Sequence, residues 1–276
     1  MAVQRDIWKA SFSTWPIFPC PTCSVGQLTF DKKSIKIEET ASSKAAHDHE
    51  AWDPDWITKR FSAILSCTNP SCQDFVFVCG KVTTDWFNFY EDDGSTGTEV
   101  IEHFVPRYFE PPLPVFPIPT ECPELVGDEL RKSFALIWSD IGSCGNRLRV
   151  AAEVLMNKLR IPKKTKIRNG RNKGKLRLLS LHDRIRLFEE KHKDAATQLM
   201  AVKWLGNAGS HTAMNALTHD DILDALEHFE YALDLIYKRT VEGLIKRARN
   251  IARMKGSVRG EPKWKRRLRR RGTTSA

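Results

Sequence analysis

Four cysteines stand in two close pairs, Cys20-Pro21-Thr22-Cys23 and Cys67-Thr68-Asn69-Pro70-Ser71-Cys72. Thiolates two to four residues apart on a tight turn can bite one ion, and two such knuckles complete a tetrahedral shell. The prolines and small residues in and beside both pairs suit that turn geometry. Four protein sulfurs make a closed site, so the spacing predicts structural zinc on Cys20, Cys23, Cys67 and Cys72 and no metal catalysis. The 43 residues between Cys23 and Cys67 exceed what a minimal ribbon needs. They require a hairpin plus an insertion, which the polar stretch 40–55 supplies. Cys79, His47 and His49 are alternative ligands, while Cys122 and Cys144 stand alone and read as small buried residues. Seven cysteines is an odd number, which argues against a disulfide framework.

The second chemical signal is charge. The net charge is +10, yet residues 1–157 carry −8 and residues 178–245 carry −4. All the excess positive charge sits in two segments. Residues 158–177 hold ten Lys/Arg and no acid, including Lys163, Lys164, Lys166, Arg168, Arg171, Lys173, Lys175 and Arg177. Residues 246–276 hold thirteen against one, with Lys263, Trp264, Lys265, Arg266, Arg267, Arg269, Arg270 and Arg271 at their densest. Such segregation points to an anionic polymer. Alternating cations beside Trp264 suit phosphate contacts plus stacking on an unpaired base, so nucleic acid is the expected partner, RNA favoured over DNA. Binding of this kind runs through counterion release and carries no evident sequence specificity. An anionic membrane surface is the rival, but the tail lacks the apolar face that would need.

The elements that must position these residues change character near residue 120. Before it, short apolar runs alternate with turn signals: Gln27–Phe30, Ser34–Glu38, Phe61–Cys67, Phe75–Val82 and Val100–Phe109 read as strands, with 91–98 as a loop. Prolines 111, 112, 114, 117 and 119 then exclude helix and favour an extended crossing. After it the period is helical. Leu130, Phe134, Ile137 and Ile141 form one stripe, broken at Ile141-Gly142-Ser143 with Ser143 available to cap the next helix. Leu148, Ala151, Leu155 and Leu159 form another, stopped by Pro162. Ser180–Asp183 and Thr218–Asp221 have the spacing of capping boxes, opening a short helix and the longest one. The expected fold class is therefore α+β: a small zinc-ribbon-like β module over 1–110, a proline-rich crossing over 111–122, an antiparallel helical bundle over 123–255 with a basic loop at 160–178, and a disordered basic tail over 256–276.

Residues 201–211 read Ala-Val-Lys-Trp-Leu-Gly-Asn-Ala-Gly-Ser-His, which puts Asn207 and His211 four apart on one helix face. With the cysteine module, the Phe109–Pro119 crossing and the Leu205–His211 stretch in this order, the chain resembles the domain of unknown function 4145 family over residues 15–240. That resemblance implies a HEPN-like bundle, a class rich in metal-independent ribonucleases of prokaryotic defence whose protomers pair through the bundle. The class places Arg before Asn and His, where Arg holds the phosphate and His moves a proton. Here Gly206 stands at the arginine position, leaving Asn207 and His211, with Lys203 one turn earlier as a point charge and a poorer clamp. The expected function is thus nucleic-acid binding in a defence or regulatory setting without catalysis by the chain itself. The alternatives are a ribonuclease using Lys203, Asn207 and His211, and a protein-interaction scaffold.

Several classes drop out. There is no GxxxxGK[ST] or GxGxxG stretch for a nucleotide cofactor. No run approaches eighteen apolar residues, and the N-terminus lacks a secretory apolar core, so a soluble cytoplasmic protein is expected.

Overall fold

Period-two alternation builds the N-terminal half. In the strand Lys59–Cys67, Phe61, Ala63 and Leu65 are buried while Arg60, Ser62 and Ser66 face out. This computed structural model describes residues 4–90, 96–208, 217–237 and 248–253. Its sheet is antiparallel and curled, with strands β1 (Phe18–Pro19), β2 (Gln27–Phe30), β3 (Lys36–Glu39), β4 (Lys59–Cys67), β5 (Phe75–Tyr90) and β6 (Thr96–Glu110). β2 and β3 share one edge of β4: β2 lies on Leu65–Cys67 and β3 on Lys59–Ser62. β4 pairs with β5 only as far as Lys59 opposite Val82. Beyond that point β5 and β6 continue as a two-stranded ribbon bearing exposed Trp86, Phe87, Phe89 and Tyr90. β5 is thus longer than its apolar run, because cross-strand partners and not burial sustain its outer half. The polar stretch 40–55 holds a short helix, α1 (Ala41–Ala46), whose Ser43 amide donates to the Thr40 hydroxyl at 3.3 Å.

The helical half comprises α2 (Glu124–Leu136), α3 (Ile141–Lys158), α4 (Leu181–Glu189), α5 (Lys193–Ala208) and α6 (His219–Tyr237). The expected stripes are the buried ones: Leu130, Phe134 and Ile137; Leu148, Ala151 and Leu155; Ile222, Leu226, Phe229 and Leu233. Both capping boxes form. The Asp183 amide donates to Ser180 Oγ at 3.2 Å, and the Asp221 amide to Thr218 Oγ1 at 3.2 Å. The break between α2 and α3 differs from expectation. Asp140 caps α3, its Oδ1 accepting from the Ser143 amide at 2.9 Å, because an aspartate three residues upstream reaches the orphan N–H that Ser143 itself exposes. The basic stretch is not a plain loop: β7 (Lys164–Lys166) and β8 (Leu176–Leu178) pair as a hairpin. Residues 1–236 form one compact unit and 237–276 a second, in which residues 248–253 are helical.

The N-terminal strap joins the halves. Trp8 packs on Phe18 of β1 and on Trp138 at ring-centroid distances of 5.5 and 5.7 Å, and Phe109 of β6 lies 4.6 Å from Trp138. Backbone groups lock the seam: Trp138 Nε1 donates to the Lys9 carbonyl at 3.1 Å, and the His219 ring meets the Trp8 carbonyl at 2.7 Å. Arg5 reaches Glu227 of α6 at 2.7 Å and also pairs with Asp224. Trp8→Ala is expected to cost about 3–5 kcal/mol, the range for emptying a buried aromatic site, read as a lower urea midpoint at unchanged m-value.

Candidate functional site

The cysteine pairs converge as their spacing requires. β1 enters the first knuckle and β2 leaves it; β4 enters the second and β5 leaves it. Because β2 pairs with β4 through Leu28 opposite Cys67, the two turns lie at one end of the sheet. The Cys20, Cys23, Cys67 and Cys72 sulfurs all lie within 4.8 Å of one another. Cys20 and Cys72 are 3.9 Å apart, Cys23 and Cys67 3.7 Å. A tetrahedral ion with metal–sulfur bonds near 2.3 Å puts its sulfurs about 3.8 Å apart, so the group is compatible with a zinc site. These distances far exceed a disulfide bond of about 2.05 Å.

The backbone is folded around sulfur. The amides of Gly26 and Asn69 point at Cys23 Sγ and Cys67 Sγ, at 3.2 and 3.4 Å. Each knuckle is followed by a left-handed residue, Ser24 at φ 55° and Gln73 at φ 53°, which turns the chain back toward its strand. A Cβ on Gly26 would lie 2.4 Å from Cys67 Sγ, so only glycine permits the first turn to close on the second pair. The Gly26 and Val25 amides pull the Cys23 thiol down to about 6, whereas burial pushes Cys67 up to about 12. Cys23 and Cys67 therefore do not ionise together unaided, and a cation would favour the thiolate form of both. The alternative ligands are engaged elsewhere: His47 pairs with Glu39 at 2.8 Å, His49 accepts from the Ala51 amide, and Cys79 is exposed outside the four-sulfur group. Cys144 is buried and donates to the Ser133 carbonyl, while Cys122 is half-buried.

The eight cations Lys163, Lys164, Lys166, Arg168, Arg171, Lys173, Lys175 and Arg177 are all exposed along the hairpin. Thr165 lies opposite Arg177, so both face the same side of the pair, toward α4. There Arg177 bridges to Asp183 at 3.1 Å. A groove of about 440 Å³ lies between hairpin and helix, lined by Lys166, Arg168, Arg177 and Arg186 with Asp183 as its acid. Arg184, 5% exposed, anchors α4 beneath it by donating to Asn157 Oδ1 in the last turn of α3 at 2.9 Å and to the Ile161 carbonyl just beyond that helix at 3.0 Å. The second basic set, Lys263, Trp264, Lys265, Arg266, Arg267, Arg269, Arg270 and Arg271, lies outside the described residues, as does His211.

Lys203 and Asn207 sit one turn apart on α5. Arg149 of α3 meets Asn207 Oδ1 at 3.5 Å and Glu153 at 3.5 Å, and its buried Nε has no hydrogen-bond partner among the described residues. Burial and the Arg149 charge hold Lys203 below the ordinary lysine range. Gly206 is buried where α5 crosses α3: a Cβ there would lie 2.7 Å from the Gly145 carbonyl and 3.3 Å from Arg149 Cβ. No arginine fits at this position. The guanidinium beside Asn207 comes from α3, a residue that spacing along one helix does not reveal.

Two family models match the chain, each described only as a domain of unknown function: DUF4145 over residues 131–255 and DUF8608 over residues 10–109. Residues 131–255 belong to the DUF4145 family. The resemblance seen in the sequence runs back to residue 15, but the DUF4145 match begins within α2, and the cysteine-bearing sheet answers to DUF8608. No curated protein and no solved structure matches the chain. Among the described residues, no helix is long and apolar enough to cross a membrane. In the DUF4145 half, Gly206→Ala is expected to cost about 1–3 kcal/mol by forcing α3 and α5 apart, measured by denaturant melting. The four sulfurs, in the other half, should keep their thiol reactivity at the untreated level.

Proposed function

We propose that the protein binds nucleic acid, RNA in preference, through the cationic groove between the β7–β8 hairpin and α4. That groove carries the reading: four basic residues from two elements line it, and although Arg177 and Arg186 pair with Asp183 and Glu189, Lys166 and Arg168 are exposed with no ion pair among the described residues. Hairpin cations beyond the groove, at Arg171, Lys173 and Lys175, extend the same positive surface, and the acidic body discourages the polymer from lying elsewhere. The helical half acts as a HEPN-like scaffold, and a role in prokaryotic defence is taken from that likeness alone. The sheet is a zinc-ribbon-like module in which zinc on Cys20, Cys23, Cys67 and Cys72 serves structure, since all four tetrahedral positions are protein sulfur.

A second reading has one observation behind it. Arg149 beside Asn207 restores a guanidinium to the crossing where Gly206 excludes one, so metal-independent RNA cleavage is the alternative.

Two measurements test the main reading. Lys166→Glu together with Arg168→Glu should weaken binding of a labelled RNA in a gel shift at least tenfold at low salt and lower the slope of log affinity against log salt by about two. An unchanged slope would remove the groove from the interface. The purified protein should contain about one equivalent of zinc, and a chelator should lower its melting temperature. Less than half an equivalent would count against the metal.

A further inference from the structure

Trp204 is an exposed aromatic side chain with the Lys203 ammonium against its ring. It lies on α5, 58% exposed, where a core-facing helix would ordinarily carry a polar residue. Lys203 Nζ sits 3.1 Å from its ring centroid. The His182 ring of α4 lies 6.1 Å away at an interplanar angle of 67°. Arg149 of α3 is close enough to depress the Lys203 ammonium, and Lys203 has no carboxylate partner among the described residues. Arg149 is itself paired with Glu153 at 3.5 Å, so Lys203 is the cation of the two whose charge an incoming anion would meet.

This cluster connects to the groove through α4. His182 and Arg186 are four residues apart and therefore neighbours on one helix face; His182 meets Trp204, and Arg186 lines the groove. A path thus runs from the hairpin cations, along α4, to an exposed aromatic ring beside Lys203 and His182.

We propose that Trp204 is a stacking platform for an unpaired base, with Lys203 taking an adjoining phosphate, so that the protein selects single-stranded over double-stranded nucleic acid. This rests on the nucleic-acid reading of the groove and adds to it the strandedness of the ligand. The physical basis is that hairpin and groove cations contact phosphates, which both forms of nucleic acid present, whereas a ring can stack only on a base free of its duplex. An isolated exposed tryptophan would carry no such meaning. Here the ring has Lys203 of its own helix against it and His182 of α4 beside it.

The test compares a labelled 15-residue oligouridine with a 15-base-pair RNA duplex by fluorescence anisotropy, using the full chain. Trp204→Ala should weaken oligouridine binding about 5- to 100-fold, the range for one lost stack, and leave duplex binding unchanged, while Trp204→Phe retains most of the affinity. Unaltered melting curves would show that both variants fold. Equal loss for both ligands, or no loss for either, would overturn the platform while leaving the groove intact. If Lys166→Glu with Arg168→Glu also leaves both ligands bound at full strength, the groove fails on its own, separately from Trp204. Failure of the unaltered chain to bind either ligand in dilute buffer would overturn both.

Discussion

The two halves share one seam of aromatic rings, and both sites depend on it. Trp8, Phe18, Phe109 and Trp138 come from the N-terminal strap, β1, β6 and the α2–α3 junction, and each is nearly or fully buried. Burying such side chains contributes about 1.5–3 kcal/mol apiece. Tilted and edge-on contacts add a geometric preference that a purely aliphatic seam would lack. Because Phe18 leads directly into Cys20, and Trp138 directly into the cap of α3, the seam sets where the first cysteine knuckle and the α3–α5 crossing begin.

Each site solves the problem of holding like groups together. In the sheet, four sulfurs approach within 4.8 Å, supported by backbone N–H groups and by a glycine whose missing Cβ leaves room for sulfur. In the helical half, Arg149 and Lys203 share a crossing that the Gly145–Gly206 contact makes unusually close. Glu153, 3.5 Å from Arg149, offsets part of that repulsion.

Legibility in the sequence varied with the range of the interaction. Cysteine spacing was enough to nominate the four sulfurs that cluster, because each pair is a local turn. Capping boxes and helical stripes were likewise visible, since they span three to eleven residues. The N-terminal strap was not: Trp8 and Phe12 show no periodicity, and their burial depends on partners such as Trp138 and Phe104 more than ninety positions away. The extended ribbon of β5 and β6 was also hidden, because its outer half buries no residue that would leave an alternating pattern.

Composition and spacing therefore established the class of each half, the cysteine quartet and the segregation of positive charge, all of which are short-range or additive properties. Folding was needed to turn the basic stretch into a hairpin facing α4, to bring Arg149 to Asn207, and to leave Trp204 exposed beside Lys203 and His182. Those arrangements arise where helices cross. A crossing is governed by which small residues let two backbones approach, and no periodicity along a single helix records its neighbour.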